Sequence, residues 1–304
     1  MDCFPQKTIK DAKTAVECLS SKSRVYRTSS GEGDMVWHEW GNISAPPLVL
    51  LHGGSGSWTH WIRNISELAR YFRVLAPDTP GLGESSEPNE KISSENYPLG
   101  MGVLAEIVGK GIDKILGYGV PFHLTGFSMG SIFGAYLAAE RGEQVLTFTL
   151  VGSSAFGLPW NGLKQPLYSV ARNLSETAKV EIQCRNLQII MTCGEATPFA
   201  GWLQTNNVER ARLRSHLLPR TDTLMRALPK VKAPLIGIWG ERDIYAQDDL
   251  TQIEKLMRSC DKDLIFEVIP NAGHWVIFDQ PKVFNSVFLL ALKARGHLGG
   301  LMGI

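Results

Sequence analysis

The sequence predicts an α/β fold with a mostly parallel central sheet, flanked by helices and interrupted once by a helical segment. Continuous apolar runs alternate with segments of helical periodicity, which is typical of strands buried on both faces of a parallel sheet. The alternation stops for about 70 residues, which is too long for a plain loop. The predicted buried strands cover residues 48–51, 74–76, 122–125, 146–151, 234–239 and 264–269.

Composition and charge narrow the class of protein. The 304 residues are 44% hydrophobic and 20% charged, which is typical of a globular chain with one large core. The net charge of +1 gives no electrostatic reason to expect nucleic acid or an anionic membrane surface as a partner. No apolar run approaches the roughly 18 residues of a membrane span. We therefore expect a small-molecule substrate, no nucleic acid and no membrane.

The cysteines and the N-terminus bear on location. Five cysteines are scattered, odd in number and lack the spacing of a metal site, which favours a reduced, cytoplasmic setting. We expect no metal and no cofactor. The first residues carry Asp2 and lack the apolar run of a secretory signal. Arg24 and the N-terminal segment are candidates either for packing or for a homodimer contact.

The N-terminal part of the sequence predicts a helix followed by a β-hairpin. Apolar residues at helical spacing predict a short amphipathic helix over residues 8–21. Two strands follow at 24–27 and 35–40, joined by a glycine-bearing turn at 30–34.

The long interruption predicts a helical cap over the core. Helical periodicity is mixed over residues 163–174, 180–191 and 199–216, without a convincing buried strand. We assign residues 1–156 and 229–304 to the core and residues 157–228 to a cap inserted after the sixth strand, where it packs as a lid.

Gly126-Phe127-Ser128-Met129-Gly130 matches the Gly-x-Ser-x-Gly pattern of a nucleophile elbow. It lies between a predicted strand and a predicted helix over residues 131–140. Such a turn forces the serine into a strained conformation with its hydroxyl exposed. A side chain at 126 or 130 would crowd the turn, so both positions favour glycine. Ser128 is therefore the candidate nucleophile.

An acid and a histidine follow in separate loops, each after its own predicted strand. Asp243 follows the strand at 234–239, and His274 follows the last strand. A carboxylate can orient an imidazole and stabilise the imidazolium, and the imidazole can act as general base toward Ser128. The alternative acids are Glu241, Asp248 and Asp249.

A glycine loop at residues 51–56, Leu-His-Gly-Gly-Ser-Gly, follows the strand at 48–51. Glycines allow backbone N–H groups to point at a developing negative charge, as an oxyanion hole requires. We assign the N–H groups of Gly54 and Met129 as donors, with Ser55 as the alternative to Gly54. A simple glycine-rich turn explains this loop equally well.

The sequence resembles the α/β-hydrolases over nearly its full length, and the chain order Ser, Asp, His is that of this fold. The branch that it resembles most includes the meta-cleavage-product hydrolases, which cut C–C bonds in ring-fission products of aromatic compounds. The matching landmarks are residues 52–54, 78–85, 126–130, 240–243, 273–275 and the pair Phe284-Asn285.

The sequence also departs from that branch. Those hydrolases carry Asn before the nucleophilic serine and a Gly-Gly-Gly-Pro-Gly loop, whereas this chain has Phe127 and the loop Gly-Gly-Ser-Gly at 53–56. Serine at the elbow argues against the dehalogenase and epoxide-hydrolase branches, which need a carboxylate nucleophile. Candidates for the arginine that grips the dienoate carboxylate in the family are Arg185, Arg210 and Arg212.

The resemblance and the motifs together predict a serine hydrolase that acts through an acyl-enzyme on a small hydrophobic or aromatic ester. The alternatives are a C–C bond hydrolase and a ligand sensor without turnover on the same fold. Because ligand sites are mostly apolar and aromatic, we expect substrate contacts from the side chains beside the motifs, although core packing explains the aromatic ones equally well. These residues are Ser55, Trp58, Phe127 and Trp275.

Overall fold

The structure, a computed structural model, describes residues 6–160, 162–246 and 249–297. Its strands are β1 Arg24–Ser30, β2 Gly33–Trp40, β3 Pro47–Leu51, β4 Arg73–Pro77, β5 Phe122–Phe127, β6 Val145–Val151, β7 Leu235–Gly240 and β8 Ile265–Ile269. They form one sheet in the order β1-β2-β4-β3-β5-β6-β7-β8. Pairing is antiparallel between β1 and β2 and between β2 and β4, and parallel from β4 to β8. The predicted α/β fold is confirmed.

Helices cover both faces of this sheet. The α-helices are α1 Ile9–Ser21, α2 Ile65–Leu68, α3 Tyr97–Leu116, α4 Met129–Arg141, α5 Glu176–Ile190, α6 Pro198–Glu209, α7 Leu250–Cys260, α8 Val276–Asp279 and α9 Pro281–Ala294. Short 3₁₀ helices lie at Trp58–Trp61, Gly142–Gln144, Leu218–Arg220, Leu224–Arg226 and Leu228–Lys230.

The central strands are apolar throughout because each contributes to two cores. Successive side chains of a strand point to opposite faces of the sheet. In β3, Val49 and Leu51 join the cluster under α3, α4 and α7, whereas Leu48 and Leu50 join the cluster under α9. The predicted burial on both faces is wrong for β8, where Val268 is exposed. Among the described strands it lies at the edge of the sheet and pairs with β7 alone.

The predicted N-terminal helix is confirmed as α1. Thr8 and Asp11 form a capping box, in which each side chain accepts a hydrogen bond from the other residue's backbone N–H. The indole of Trp40 in β2 donates to the carbonyl of Leu19 over 2.8 Å. Lys13 donates to Glu176 of α5 over 2.9 Å. The helix therefore contacts both the sheet and the segment that follows β6.

The segment between β6 and β7 contains helices and, among its described residues, no strand, as predicted, but its first part is not helical. Residues 163–174 form no helix. Pro166 lacks a backbone N–H and disfavours helical geometry in the residue before it. The N–H and C=O of Tyr168 pair instead with the side chain of Asn186, over 2.7 and 3.0 Å. The assignment of residues 157–228 to a separate cap stays a prediction, and we use the name cap for this segment.

Within the described residues, no helix is both long enough and apolar enough to cross a membrane. Cys18, Cys184, Cys193 and Cys260 are free thiols. Cys3 and the N-terminal residues used to argue against a secretory signal lie outside the described residues. The cytoplasmic location and the homodimer stay predictions.

Candidate active site

The elbow at Ser128 is a tight turn between β5 and α4. Ser128 has φ = 52°, a left-handed conformation that costs a non-glycine residue about 1–3 kcal/mol. A Cβ on Gly126 would lie 2.5 Å from the backbone of Gly130. A Cβ on Gly130 would lie 2.6 Å from the carbonyl oxygen of Leu51 in β3. The predicted need for glycine at both positions is confirmed.

Ser128, His274 and Asp243 form one hydrogen-bonded chain. His274 Nε2 lies 3.0 Å from Ser128 Oγ, and His274 Nδ1 lies 2.9 Å from each carboxylate oxygen of Asp243. An ionised carboxylate only accepts hydrogen bonds, so Nδ1 carries the proton and Nε2 is left to accept the serine hydroxyl. The structure thus brings the three predicted residues together, and their catalytic roles stay a prediction.

The neighbouring acids do not replace Asp243. Glu241 accepts a hydrogen bond from the N–H of Asn271 at the surface, over 3.3 Å. Asp249 is the N-cap residue of α7, and Asp248 lies outside the described residues. Asp243 is 4% exposed and also accepts the N–H of Tyr245 over 2.9 Å, which fixes its carboxylate.

The imidazole of His274 lies between two aromatic rings. The ring centroids of Phe127 and Tyr245 lie 5.1 and 4.5 Å from that of His274. Burial, with the nearby charge of Asp243, raises the pKa of the Tyr245 hydroxyl to about 12, so this phenol stays protonated at neutral pH. Tyr245 lines the cavity described below and was missed by the sequence reasoning, because it belongs to no motif.

Gly54 and Met129, the predicted oxyanion-hole residues, lie next to each other. A Cβ on Gly54 would lie 3.9 Å from the Cβ of Met129. Met129 begins α4, where N–H groups have no intrahelical acceptor and the helix dipole favours negative charge. Neither N–H donates a hydrogen bond to another of the described residues. Ser55, the alternative, has φ = 48° and lies in the same loop.

Two buried histidines hold the glycine loop. The N–H of Thr79 donates to His52 Nε2 over 2.9 Å, so His52 Nδ1 carries the proton and donates to the carbonyl of Gly53 over 2.8 Å. The N–H of Gly53 donates to His60 Nδ1 over 3.2 Å, so His60 Nε2 donates to Gln204 Oε1, also over 3.2 Å. Burial lowers the pKa of His52 to about 4 and that of His60 to about 3.

A cavity of about 510 Å³ lies over Ser128, between the core and the cap. This volume falls within the range of small-molecule sites, and the mixture of apolar walls with a few polar groups is typical of them. Its apolar lining includes Phe127, Ile132, Ile190, Met191 and Leu213, and its polar lining includes His60, Gln183, Asn186, Gln204 and Tyr245.

Two of the four predicted substrate contacts line this cavity. Ser55 and Phe127 do so, and their contact with substrate stays a prediction. Trp58 and Trp275 do not line this cavity, and their side chains belong to the core. The 3₁₀ helix turns Trp58 toward His38 and Trp40, with ring centroids 5.1 and 5.4 Å away.

Trp275 is fully buried under α8. Its ring stacks on Phe278 with centroids 4.1 Å apart, and its indole N–H donates to the carbonyl of His60 over 3.1 Å. Trp275 therefore packs against His60, with ring centroids 5.1 Å apart, and does not itself line the cavity.

The three candidate cap arginines lie away from the cavity. Arg210 pairs with Glu84 over 3.8 Å, Arg212 donates to the carbonyl of Ser85, and Arg185 lies over the ring of Tyr168, 5.9 Å from its centroid. Arg214 lines the cavity instead. The helical periodicity predicted as far as residue 216 hid it, since α6 ends at Glu209.

A serine, an aspartate and a histidine at the carboxyl ends of parallel strands define a class of hydrolases built on this sheet. The sequence model of the alpha/beta hydrolase family matches residues 48–287, which is most of the chain. The chain therefore belongs to the alpha/beta hydrolase family.

Relatives within this family differ in activity. The chain is 25% identical over 260 residues to the dihydrolipoyllysine-residue acetyltransferase component of the acetoin cleaving system of Pseudomonas putida. The aligned region covers 84% of this chain and 66% of that protein, slightly under two thirds. The chain is also 27% identical over 270 residues to a 2-hydroxy-6-oxononadienedioate/2-hydroxy-6-oxononatrienedioate hydrolase of Burkholderia vietnamiensis. This aligned region covers 81% of this chain and 86% of that protein.

Solved structures agree on the fold. A membrane phospholipase A described as a bacterial virulence factor superimposes with a TM-score of 0.74 at 23% identity, covering 94% of this chain and 91% of that one. Other relatives and structural neighbours include carboxylesterases and lipases. The prediction that this chain is an enzyme of the α/β-hydrolase class is confirmed.

Proposed function

We propose that this protein is a serine hydrolase that cleaves a small hydrophobic or aromatic ester through an acyl-enzyme. The observation that carries the proposal is the hydrogen-bonded chain from Ser128 through His274 to Asp243, open to a cavity beside two unused backbone N–H groups. Relatives that are esterases and lipases support the reaction type.

Each group has a definite role in this reaction. Ser128 Oγ attacks the ester carbonyl while His274 Nε2 takes the hydroxyl proton, and Asp243 stabilises the resulting imidazolium. The N–H groups of Gly54 and Met129 donate to the oxyanion. His274 then protonates the leaving alcohol, and water, activated by the same histidine, releases the acid.

The cavity supports a substrate of modest size. A volume of about 510 Å³ with Phe127 at the nucleophile and aliphatic side chains above it favours small apolar acyl groups over long chains. The neutral phenol of Tyr245 is available as a hydrogen-bond donor beside His274.

A hydrolysis screen tests the proposal. p-Nitrophenyl esters of increasing acyl length are compared with ring-fission dienoates, using the wild type and Ser128→Ala. We expect turnover of the short and aromatic esters and its loss in Ser128→Ala. Turnover of the dienoates alone would instead assign the protein to C–C bond hydrolysis.

C–C bond hydrolysis is the second candidate because of one observation. Arg214 lines the cavity and is exposed, and within the described residues its side chain makes no ion pair or hydrogen bond. A guanidinium suits a substrate carboxylate, which it binds in a bidentate manner. If this candidate is right, Arg214→Gln raises KM for dienoates and leaves KM for neutral esters unchanged.

A further inference from the structure

Helix α6 of the cap presents a polar face to the glycine loop. Gln204 and Asn207 lie three residues apart and therefore on the same side of the helix. They are 6% and 0% exposed. Amide groups buried to this degree need hydrogen-bond partners, and the amide of Gln204 and the oxygen of Asn207 find them in or beside the glycine loop.

Gln204 binds the loop twice. Its Nε2 donates to the carbonyl of Ser55 over 3.1 Å. Its Oε1 accepts from His60 Nε2, and His60 Nδ1 in turn accepts the N–H of Gly53. Gly54, the assigned oxyanion donor, lies between the two residues that Gln204 holds. One cap side chain thus fixes the backbone on both sides of this donor.

Asn207 holds the chain just beyond the loop. Its Oδ1 accepts from the hydroxyls of Ser57 and Thr59, over 2.7 and 3.2 Å. These contacts anchor the start of the 3₁₀ helix that carries His60. The position of His60 relative to Gly53 therefore also depends on α6.

The loop needs such support because it lies outside regular secondary structure and is locally strained. It follows the end of β3, and Ser55 adopts a left-handed conformation that glycine would accept more readily. At Gly56 a Cβ would lie 2.2 Å from the ring of His60, so the loop packs directly against this histidine. Backbone outside regular structure stays in one conformation only where its polar groups have fixed partners.

We propose that Gln204 is a positioning residue of the reaction: through Ser55 and His60 it holds the N–H of Gly54 where the oxyanion forms. This inference rests on the proposed hydrolase function. It gives the cap a second role, since docking of α6 sets the rate of the chemical step as well as access to the cavity.

The state of His60 is part of this arrangement. His60 must be neutral, because only an unprotonated Nδ1 accepts the N–H of Gly53. The titratable groups that face it are the imidazoles of His52 and His274, and its remaining partner is the neutral amide of Gln204. Burial keeps its pKa at about 3, so the wild type holds the neutral form throughout the neutral range.

Gln204→Leu tests the proposal against Thr205→Val as a matched control. Thr205 is the next residue of α6, is 7% exposed and does not line the cavity, and its hydroxyl donates to the carbonyl of Gly201 in the same helix over 2.8 Å. With p-nitrophenyl butyrate we expect Gln204→Leu to lower kcat about 10- to 100-fold, because a donor is misplaced rather than removed, with KM within about threefold. Thr205→Val keeps kcat.

Inhibitor binding separates positioning from a general loss of structure. A trifluoromethyl ketone adds to Ser128 Oγ and forms a tetrahedral oxyanion, whereas the corresponding secondary alcohol cannot. In Gln204→Leu, affinity for the ketone falls by the same factor as kcat, and affinity for the alcohol is unchanged. Equal losses for both inhibitors would overturn the proposal.

Gln204→Glu provides a second test that does not depend on the fold of the leucine variant. The carboxylate raises the pKa of His60. Below that raised pKa His60 is protonated and releases the N–H of Gly53, so the pH profile of kcat gains a second acid limb that the wild type lacks. A profile with the single limb of the wild type would contradict the role of His60.

The proposed hydrolase function and the proposed role of Gln204 can be rejected independently of each other. Ester turnover that persists in Ser128→Ala rejects the proposed function. Ser128-dependent turnover with equal kcat in Gln204→Leu and Thr205→Val rejects the role of Gln204 and leaves the hydrolase intact.

Discussion

The nucleophile elbow and the glycine loop flank the same reaction centre, but different forces hold them. The elbow is fixed by steric packing: Gly126 and Gly130 lie against neighbouring backbone, and Ser128 is strained between β5 and α4. The glycine loop is fixed by hydrogen bonds from side chains, among them Gln204, which is 149 residues away from Ser55.

This difference shows which part of the site a short sequence motif can determine. Close contact between backbone atoms leaves little freedom, so a short motif determines the elbow. A loop that depends on hydrogen bonds to a distant helix keeps its shape only while that helix is docked. We therefore expect substitutions of the elbow glycines to damage both fold and activity, and changes at the loop to damage activity alone.

The largest effect should come from the nucleophile. Ser128→Ala removes the attacking oxygen and should lower kcat/KM by about 10⁴-fold or more, since the remaining groups act only on a bound substrate. Its melting temperature should stay within a few degrees of the wild type, because the contacts of the turn are backbone contacts. Steady-state kinetics beside a thermal melt measure both. Activity within tenfold of the wild type would contradict this role.

A pair of glycine substitutions tests the contrast directly. In Gly130→Ala the new methyl group meets the carbonyl of Leu51 at 2.6 Å, which backbone cannot relieve, so we expect a loss of about 3 kcal/mol of unfolding free energy together with activity. In Gly54→Ala it meets the hydroxyl of Ser215 at 2.4 Å, at the end of a side chain.

Gly54→Ala should therefore keep its stability to within about 1 kcal/mol and lose about tenfold in kcat. Adding Ser215→Ala should restore part of the rate, because the next atom of that side chain lies at 3.7 Å, an ordinary contact. Denaturant unfolding and kinetics on the three variants decide the point. Equal destabilisation by both glycine substitutions would remove the distinction.

Substitutions of Phe127 and Trp58 compare a cavity residue with a core residue, and smaller effects are expected. Phe127→Leu reshapes the cavity and should shift the preferred acyl length of p-nitrophenyl esters, with a several-fold change in relative kcat/KM. Trp58→Phe removes packing on His38 and Trp40 and should cost about 1–3 kcal/mol of stability while leaving that preference unchanged. A changed preference in Trp58→Phe would return this residue to the site.

The smallest effect is a slope of stability with pH. Burial of His123, which hydrogen-bonds to Thr147 over 2.8 Å, lowers its pKa from 6.5 to about 4. The imidazole of His123 stays neutral in the folded state but becomes protonated in the unfolded chain. The stability that His123 contributes is therefore full above pH 6.5, falls toward pH 4 and then levels off.

Each such histidine contributes about 1.4 kcal/mol per pH unit in this window. His123→Gln should therefore reduce the slope of unfolding free energy against pH by about this amount. Urea titrations between pH 4 and 7 measure it. An unchanged slope would mean that His123 is not neutral in the folded protein.

The sequence predicted the parts of the site that local chemistry determines. Ser128, Asp243 and His274 follow buried strands, and the carboxyl ends of parallel strands meet at one edge of the sheet, so their order along the chain was enough to bring them together. The glycines of the elbow could be assigned because a missing Cβ has a purely steric explanation.

The other features of the site depend on side-chain orientations and on contacts between distant elements, which the sequence alone does not specify. Trp58 and Trp275 flank the motifs in sequence but point into the core, because the turn of a 3₁₀ helix and the packing of α8 set their orientation. Gln204 and His60 contribute to the cavity through contacts between distant elements, and Arg214 lines it because α6 ends at Glu209. The helix predicted at 163–174 failed because Pro166 and the hydrogen bonds to Asn186 favour an irregular chain.

Covalent labelling of Ser128 tests the central claim most directly. A fluorophosphonate transfers its phosphonyl group to an activated serine, with loss of fluoride, and peptide mass spectrometry locates the adduct. We predict one adduct on Ser128, absent in Ser128→Ala and formed at least about 100-fold more slowly in His274→Ala, which lacks the general base. Folded wild-type protein that stays unlabelled at Ser128, or labels equally fast without His274, would contradict the account.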